Sequence, residues 1–183
     1  MKRFSIFTCS ILTILTLTAC APKTNSKPNS NDTTTHINSN HYVYEPYTLY
    51  FPVAEAPYLV KETQELEVSD NVSEEMRILT ALKKGPKGDE LKSPLSPNAE
   101  ITSVKTISGL CTINFSGDFL SAEDNDADSR LQKIQSIIYS LCELDTVNQV
   151  KINIDGKTDI KLDDEIDLSQ PMSPDASYLQ MDK

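Results

Sequence analysis

The stretch Ile101-Thr-Ser-Val-Lys-Thr-Ile-Ser-Gly-Leu-Cys-Thr-Ile-Asn-Phe-Ser116 decides the fold. Two runs, Ile101–Ile107 and Leu110–Ser116, flank the pair Ser108-Gly109. A two-residue connection with Gly suits a tight hairpin, because Gly accepts φ > 0 without a Cβ clash. With that turn fixed, Ile107 faces Leu110, Thr106 faces Cys111 and Val104 faces Ile113. Strand side chains alternate, so Thr102, Val104 and Thr106 share a face with Cys111, Ile113 and Phe115, the face expected to enter the core.

The chain downstream switches period. In Asp128–Cys142 the residues Leu131, Ile134, Ile138 and Leu141 recur at helical spacing, with Ile137 beside them. Asp124, Asp126 and Asp128 suit the start of that helix, where free N–H groups favour acids. Val150, Ile152 and Ile154 then alternate with Lys151 and Asn153, and Asp155-Gly156 ends the strand. Upstream, Tyr47–Val53 is a strand candidate with Leu49 and Phe51 on one face, and Pro52 marks its end or an edge. Leu59–Val68 is a second extended run. A first helix starts at Ser73 or, by capping-box spacing, at Asn71. It buries Met76, Leu79 and Leu82 and stops at Gly85-Pro86. Lys87–Glu100 reads as a loop, and Lys161–Leu168 as a short strand or turn. The expected fold is α+β: two helices on one face of a small mixed β-sheet with a β-α-β-β-α-β core. If the strands joined by the second helix are parallel, that crossover is right-handed.

The chain has 183 residues and a net charge of −10, which argues against nucleic acid and against electrostatic attachment to anionic lipid. Residues 1–20 read as a secretory signal. Lys2 and Arg3 precede the apolar run Ile6–Leu17, and Leu17-Thr-Ala-Cys20 resembles a bacterial lipobox. That resemblance implies cleavage before Cys20 and lipidation of its thiol. An uncleaved signal anchor is the alternative, but the run is short for a spanning helix. Several acyl chains on one cysteine hold a protein at the membrane where a single chain does not. Loss of Lys2 and Arg3 leaves 15 basic residues against 27 acidic ones. Residues 21–41 are polar and Pro-containing and read as a disordered tether. Residues 42–172 form the domain, and residues 173–183 a frayed acidic tail.

Only Cys111 and Cys142 then remain in the exported domain. Cys111 opens a strand and Cys142 ends the next helix. A helix folding back on its strand brings them together. A disulfide there closes a loop of roughly thirty residues, and two separate buried thiols are the other reading.

Other candidate sites read as bland. Glu123–Asp128 imitates the start of a calcium loop, but Ser129 stands where that loop needs Gly and Gln135 where it needs a bidentate Glu. Asp163, Asp164, Glu165 and Asp167 read as a solvated turn. His36 and His41 lie in or beside the tether without further ligands. No nucleophile–base set, phosphate loop, cofactor site or metal site is read, so no catalysis is expected.

The order of elements, with several phrases, resembles the GerMN domain of sporulation and spore germination lipoproteins. The phrases are Leu49-Tyr-Phe-Pro52, Leu59-Val-Lys-Glu62, Leu79-Thr-Ala-Leu-Lys-Lys-Gly-Pro86 and Gly109-Leu-Cys-Thr-Ile-Asn-Phe-Ser116. Ile137-Ile-Tyr-Ser-Leu-Cys-Glu-Leu144, Val150-Lys-Ile-Asn-Ile-Asp-Gly156 and Asp167-Leu-Ser-Gln-Pro-Met172 follow. The resemblance implies a lipoprotein on the outer face of the cytoplasmic membrane of a Gram-positive, spore-forming bacterium. It implies a fold similar to ring-building domains, a scaffolding role and no catalytic set. Protein partners or self-association through sheet edges are the expected contacts, with a small ligand or cell-wall component as the alternative. A cell-wall hydrolase accessory enzyme is the third option. A pocket lined with aromatics would favour the ligand, and a partly apolar surface patch would favour assembly.

Overall fold

The computed structural model describes residues 42–120, 126–162, 164 and 166–179. The signal, Cys20 and the tether lie outside them. The elements are β1 (Val43–Pro52), β2 (Leu59–Val68), α1 (Glu74–Lys84), β3 (Ile101–Ile107), β4 (Leu110–Phe115), α2 (Ala127–Cys142) and β5 (Gln149–Ile154). None of these helices is long and apolar enough to cross a membrane.

The class is α+β, and the strands divide between two sheets. β1 and β2 pair antiparallel; β3, β4 and β5 form a mixed sheet in that order. From Ser103 to Ile107 the hairpin register is the one the Ser108-Gly109 turn dictates: Ile107 opposes Leu110, Thr106 opposes Cys111 and Val104 opposes Ile113; between Ile101 and Ser103 it shifts, so that Ile101 rather than Thr102 opposes Phe115. Both turn residues have positive φ, 51° at Ser108 and 85° at Gly109. β4 and β5 run parallel, joined through α2. Of the hairpin face, Cys111, Ile113 and Phe115 are buried, Val104 packs against the core at its rim, and Thr102 is exposed.

The first two strands stay apart from the others for a visible reason: a helix, not a strand, closes the outer edge of β1. Ser140 Oγ accepts the Tyr50 N–H at 2.8 Å, and Ser136 Oγ donates to the Tyr50 carbonyl. Gln132 Nε2 donates to the carbonyls of Ala56 at 2.8 Å and Tyr58 at 2.7 Å in the β1–β2 connection. So α2 is buried nearly all round. Ile134, Ile137, Ile138 and Leu141 enter the apolar core, while Gln132, Ser136 and Ser140 serve a strand edge. Pro46 and Pro52 are tolerated inside β1 because both share the phase of Tyr50, whose N–H turns away from β2.

The first helix starts at Ser73, whose Oγ accepts the Met76 N–H, and ends at Gly85 with φ 96°. Asn71 is not its cap. Its inward residues are Ile78, Leu79, Ala81 and Leu82. Met76, expected in the core, is only half-buried and faces a groove instead.

Residues 173–179 are docked where a frayed tail was expected. Asp175 caps a short 3-10 turn, Ala176–Tyr178, and its N–H donates to Gln135 Oε1 at 3.0 Å. Leu179 then forms a parallel bridge to Leu59. Local acceptor geometry at Asp175, invisible as apolar pattern, holds the segment. Segments read as loops also feed the core. Leu95 and Ala99 are buried, and Phe119 stacks on Phe115 with ring centroids 5.0 Å apart.

Candidate functional site: an open sheet edge beside a groove

The residues singled out from the sequence do not converge. Cys20, His36 and His41 lie outside the described residues, as do 121–125, which hold the first half of the acidic run Glu123–Asp128. Its described end is structural: Asp126 caps α2 by accepting the Ser129 N–H at 2.7 Å. Asp167 accepts the Ser169 N–H at 2.8 Å and meets Lys161 at 3.8 Å, so it orders its own turn. Among the described residues no three His, Cys, Asp or Glu side chains sit close enough to hold a metal.

Cys111 and Cys142 are both free thiols here. They are near enough for a Cys142 thiolate to disfavour ionisation of Cys111. Burial is the larger cause and pushes each thiol up to about 11. Neutral thiols of this kind are poor nucleophiles.

The open feature lies elsewhere, on β2. Tyr50 turns its N–H and C=O away from β2, and its register partner is Lys61. In an antiparallel ladder, directly opposed residues turn the same way and the direction alternates along the strand. Lys61, Thr63, Glu65 and Glu67 therefore aim their backbone groups away from β1. All four are exposed. Leu59 is bridged by Leu179. Beyond it, Lys87 Nζ donates to the outward Thr63 carbonyl at 3.2 Å.

A groove of about 600 Å³ runs between this edge and α1. Leu66, Val72, Met76 and Ala81 give it an apolar floor, Arg77, Lys84 and Lys87 bring positive charge, and Glu65 and Glu67 bring negative charge on the β2 side. No aromatic residue lines it. Its walls are fixed by part-buried and exposed polar contacts. Gln64, buried on the α1 side of β2, donates to the Gly85 carbonyl at 3.2 Å. Glu62 accepts the Lys87 N–H at 3.0 Å. Arg77 donates to the Tyr47 hydroxyl at 2.7 Å and to the Val72 carbonyl at 2.9 Å. A second hollow of about 480 Å³ sits near Glu55, Ala56, Asp126 and Tyr178.

Sequence reading found the edge only as an extended run. The signal that would have sharpened it is the polar row Lys61, Thr63, Glu65, Glu67 on a strand whose other face holds Val60, Glu62, Gln64, Leu66 and Val68. Charged residues of this kind are how open edges are kept soluble.

The family model described as "Germane: Sporulation and spore germination" matches residues 48–160. Among curated proteins, none matches the chain. Solved structures share its fold. The tandem GerMN domains of the sporulation protein GerM from Bacillus subtilis superpose with a TM-score of 0.59 at 22% identity, covering 84% of this chain and 50% of that one. The chain thus spans half the length of that tandem structure. The first GerMN domain alone gives 0.55 at 20% identity, covering 72% of this chain and 96% of that one. A Clostridium perfringens protein described provisionally as a lipoprotein gives 0.51 at 20% identity, covering 76% and 93%. With more than half of its residues matched by the family model and the α+β fold in agreement, the chain belongs to the Germane family of sporulation and spore germination domains.

Proposed function

We propose that the chain is an assembly module of sporulation or spore germination, tied by lipid at Cys20 to the outer face of the cytoplasmic membrane and acting through protein contact. The observation that carries this reading is the open β2 edge beside a charged, partly apolar groove. Outward backbone donors and acceptors along an edge strand are a ready template for another chain. The lipobox-like Leu17–Cys20 supports the anchor, and so does the lipoprotein description of the Clostridium perfringens neighbour. The reading assigns no catalytic step.

The test is affinity capture of the tagged full chain from membranes of sporulating and of vegetative cells. The reading expects membrane-protein partners that appear with sporulation. Equal recovery from both, or no partner in either, contradicts it.

A further inference from the structure

The pattern along the β2 edge is self-complementary. Outward residues pair only with outward residues, so a second β2 can add antiparallel about axes at only a few positions. An axis at Glu65 opposes that carboxylate to its own copy, which is unfavourable. An axis at Thr63 runs Glu67 against Leu59, whose edge Leu179 already occupies. An axis at Gln64 avoids both faults. It sets Lys61 opposite Glu67 of the second copy twice over, and Thr63 opposite Glu65 twice over. On the α1 side it places Glu62 of the second copy opposite Leu66, at the groove that carries Arg77, Lys84 and Lys87.

We infer that β2 pairs antiparallel with β2 of a second copy about a twofold axis at Gln64. The two short sheets become one four-stranded sheet in the order β1-β2-β2-β1. The inference rests on the assembly reading above and names one of its partners. Charge complementarity favours this occupant: Lys61 and Glu67 are the end residues of the open edge, and a second copy running antiparallel meets each with its opposite. The exposed Lys87 ammonium leaves the Thr63 carbonyl as the partner strand arrives.

The test uses full-length chains oxidised in their own membranes. One chain carries Thr63→Cys and a first tag, the other Glu65→Cys and a second tag. Hydrogen-bonded partners across an antiparallel pair have Cα atoms about 5.5 Å apart, inside the disulfide window. The mixed disulfide is therefore expected several-fold above either self-product, with the chain lacking added cysteines as the blank. Adding Lys61→Glu to both chains sets like charges across both ends and lowers the mixed product by about fivefold to tenfold. Adding Glu67→Lys as well restores it. Thermal melting of each variant confirms that it folds. A mixed product no greater than the self-products overturns the inference. So do failure of the charge swap to restore it, and crosslinks only to another protein or to the chain's own residues 180–183. Capture is repeated with Thr63→Pro, which removes an outward N–H and no β1–β2 bond. Sporulation-linked partners still recovered with that variant leave the assembly reading intact when self-pairing fails.

Discussion

Ser140 Oγ accepts the backbone N–H of Tyr50 at 2.8 Å, across 90 residues of sequence. One turn earlier in α2, Ser136 Oγ donates to the carbonyl of the same residue. Two hydroxyls thus stand in for a neighbouring strand. The same helix grips the Tyr50 side chain: its hydroxyl donates to Glu143 at 2.7 Å, and burial, then that carboxylate, push it up to about 12. Ser140→Ala leaves a buried N–H unmet and costs about 1–3 kcal/mol. Urea unfolding of Ser140→Ala and of an exposed control, Ser177→Ala, checks this; equal midpoints contradict it.

The hairpin turn carries strain at a residue with a side chain. Ser108 has φ 51°, a region that Asn or Gly occupies more readily. Ser108→Asn is expected to stabilise by about 0.5–1 kcal/mol. Gly109→Ala acts the other way, because its Cβ would lie 2.5 Å from Asn148 Nδ2 at φ 85°. A loss of about 1–2 kcal/mol is expected. Thermal melts of the two variants should move in opposite directions.

Glu75 fastens α1 to β3. Burial opposes its ionisation, but hydrogen bonds from the Thr106 hydroxyl, its own backbone and Ser73 outweigh that and hold the carboxyl below its ordinary range. The Thr106 Oγ1 bond is 2.6 Å. A folded-state pKa below the unfolded value means stabilisation present at neutral pH and lost as pH falls through and below the usual glutamate range. Glu75→Gln should cost about 0.5–1 kcal/mol at pH 7, reduced by solvent screening, and should flatten the acid limb of stability against pH. An unchanged acid limb contradicts the assignment.

Cys111 and Cys142 yield two expectations. As thiols, both are pushed up to about 11 by burial. The folded chain then holds protons that the unfolded chain gives up, and stability falls as pH rises from about 8.5 towards 11. We also propose that the exported chain joins them. Denatured without reductant, it should then offer neither thiol to alkylation, and its bond should contribute about 3–4 kcal/mol. Two alkylated thiols in the unreduced chain would contradict the bond.

Much of this fold was legible because its signals are local. The Ser108-Gly109 turn set the hairpin register, Ser73 and Gly85 bounded α1, and the isoleucine stripe of α2 was read correctly. What escaped was long-range and polar. Gln132, Ser136 and Ser140 look like a solvated helix face, yet they are buried because their partners are carbonyls and an amide 74–90 residues away. Their partnership closes β1 and divides the strands into two sheets. Gln64 hid β2 in the same way, as a buried amide in phase with Val60, Leu66 and Val68. The open edge follows from pairing, and pairing of two strands says nothing in sequence about which outer edge a helix covers. Met76 shows the converse: helical spacing placed it in the core, whereas the structure leaves it lining the groove.

As proposed above, this domain works by its surface and only when tied to the membrane. The direct measurement is the yield of heat-resistant, germination-competent colonies from a strain lacking the chain, complemented with the native chain or with Cys20→Ala. The account expects a defect that the native chain repairs and that the folded but unanchored variant does not. Full repair by Cys20→Ala, or no defect without the chain, would contradict it.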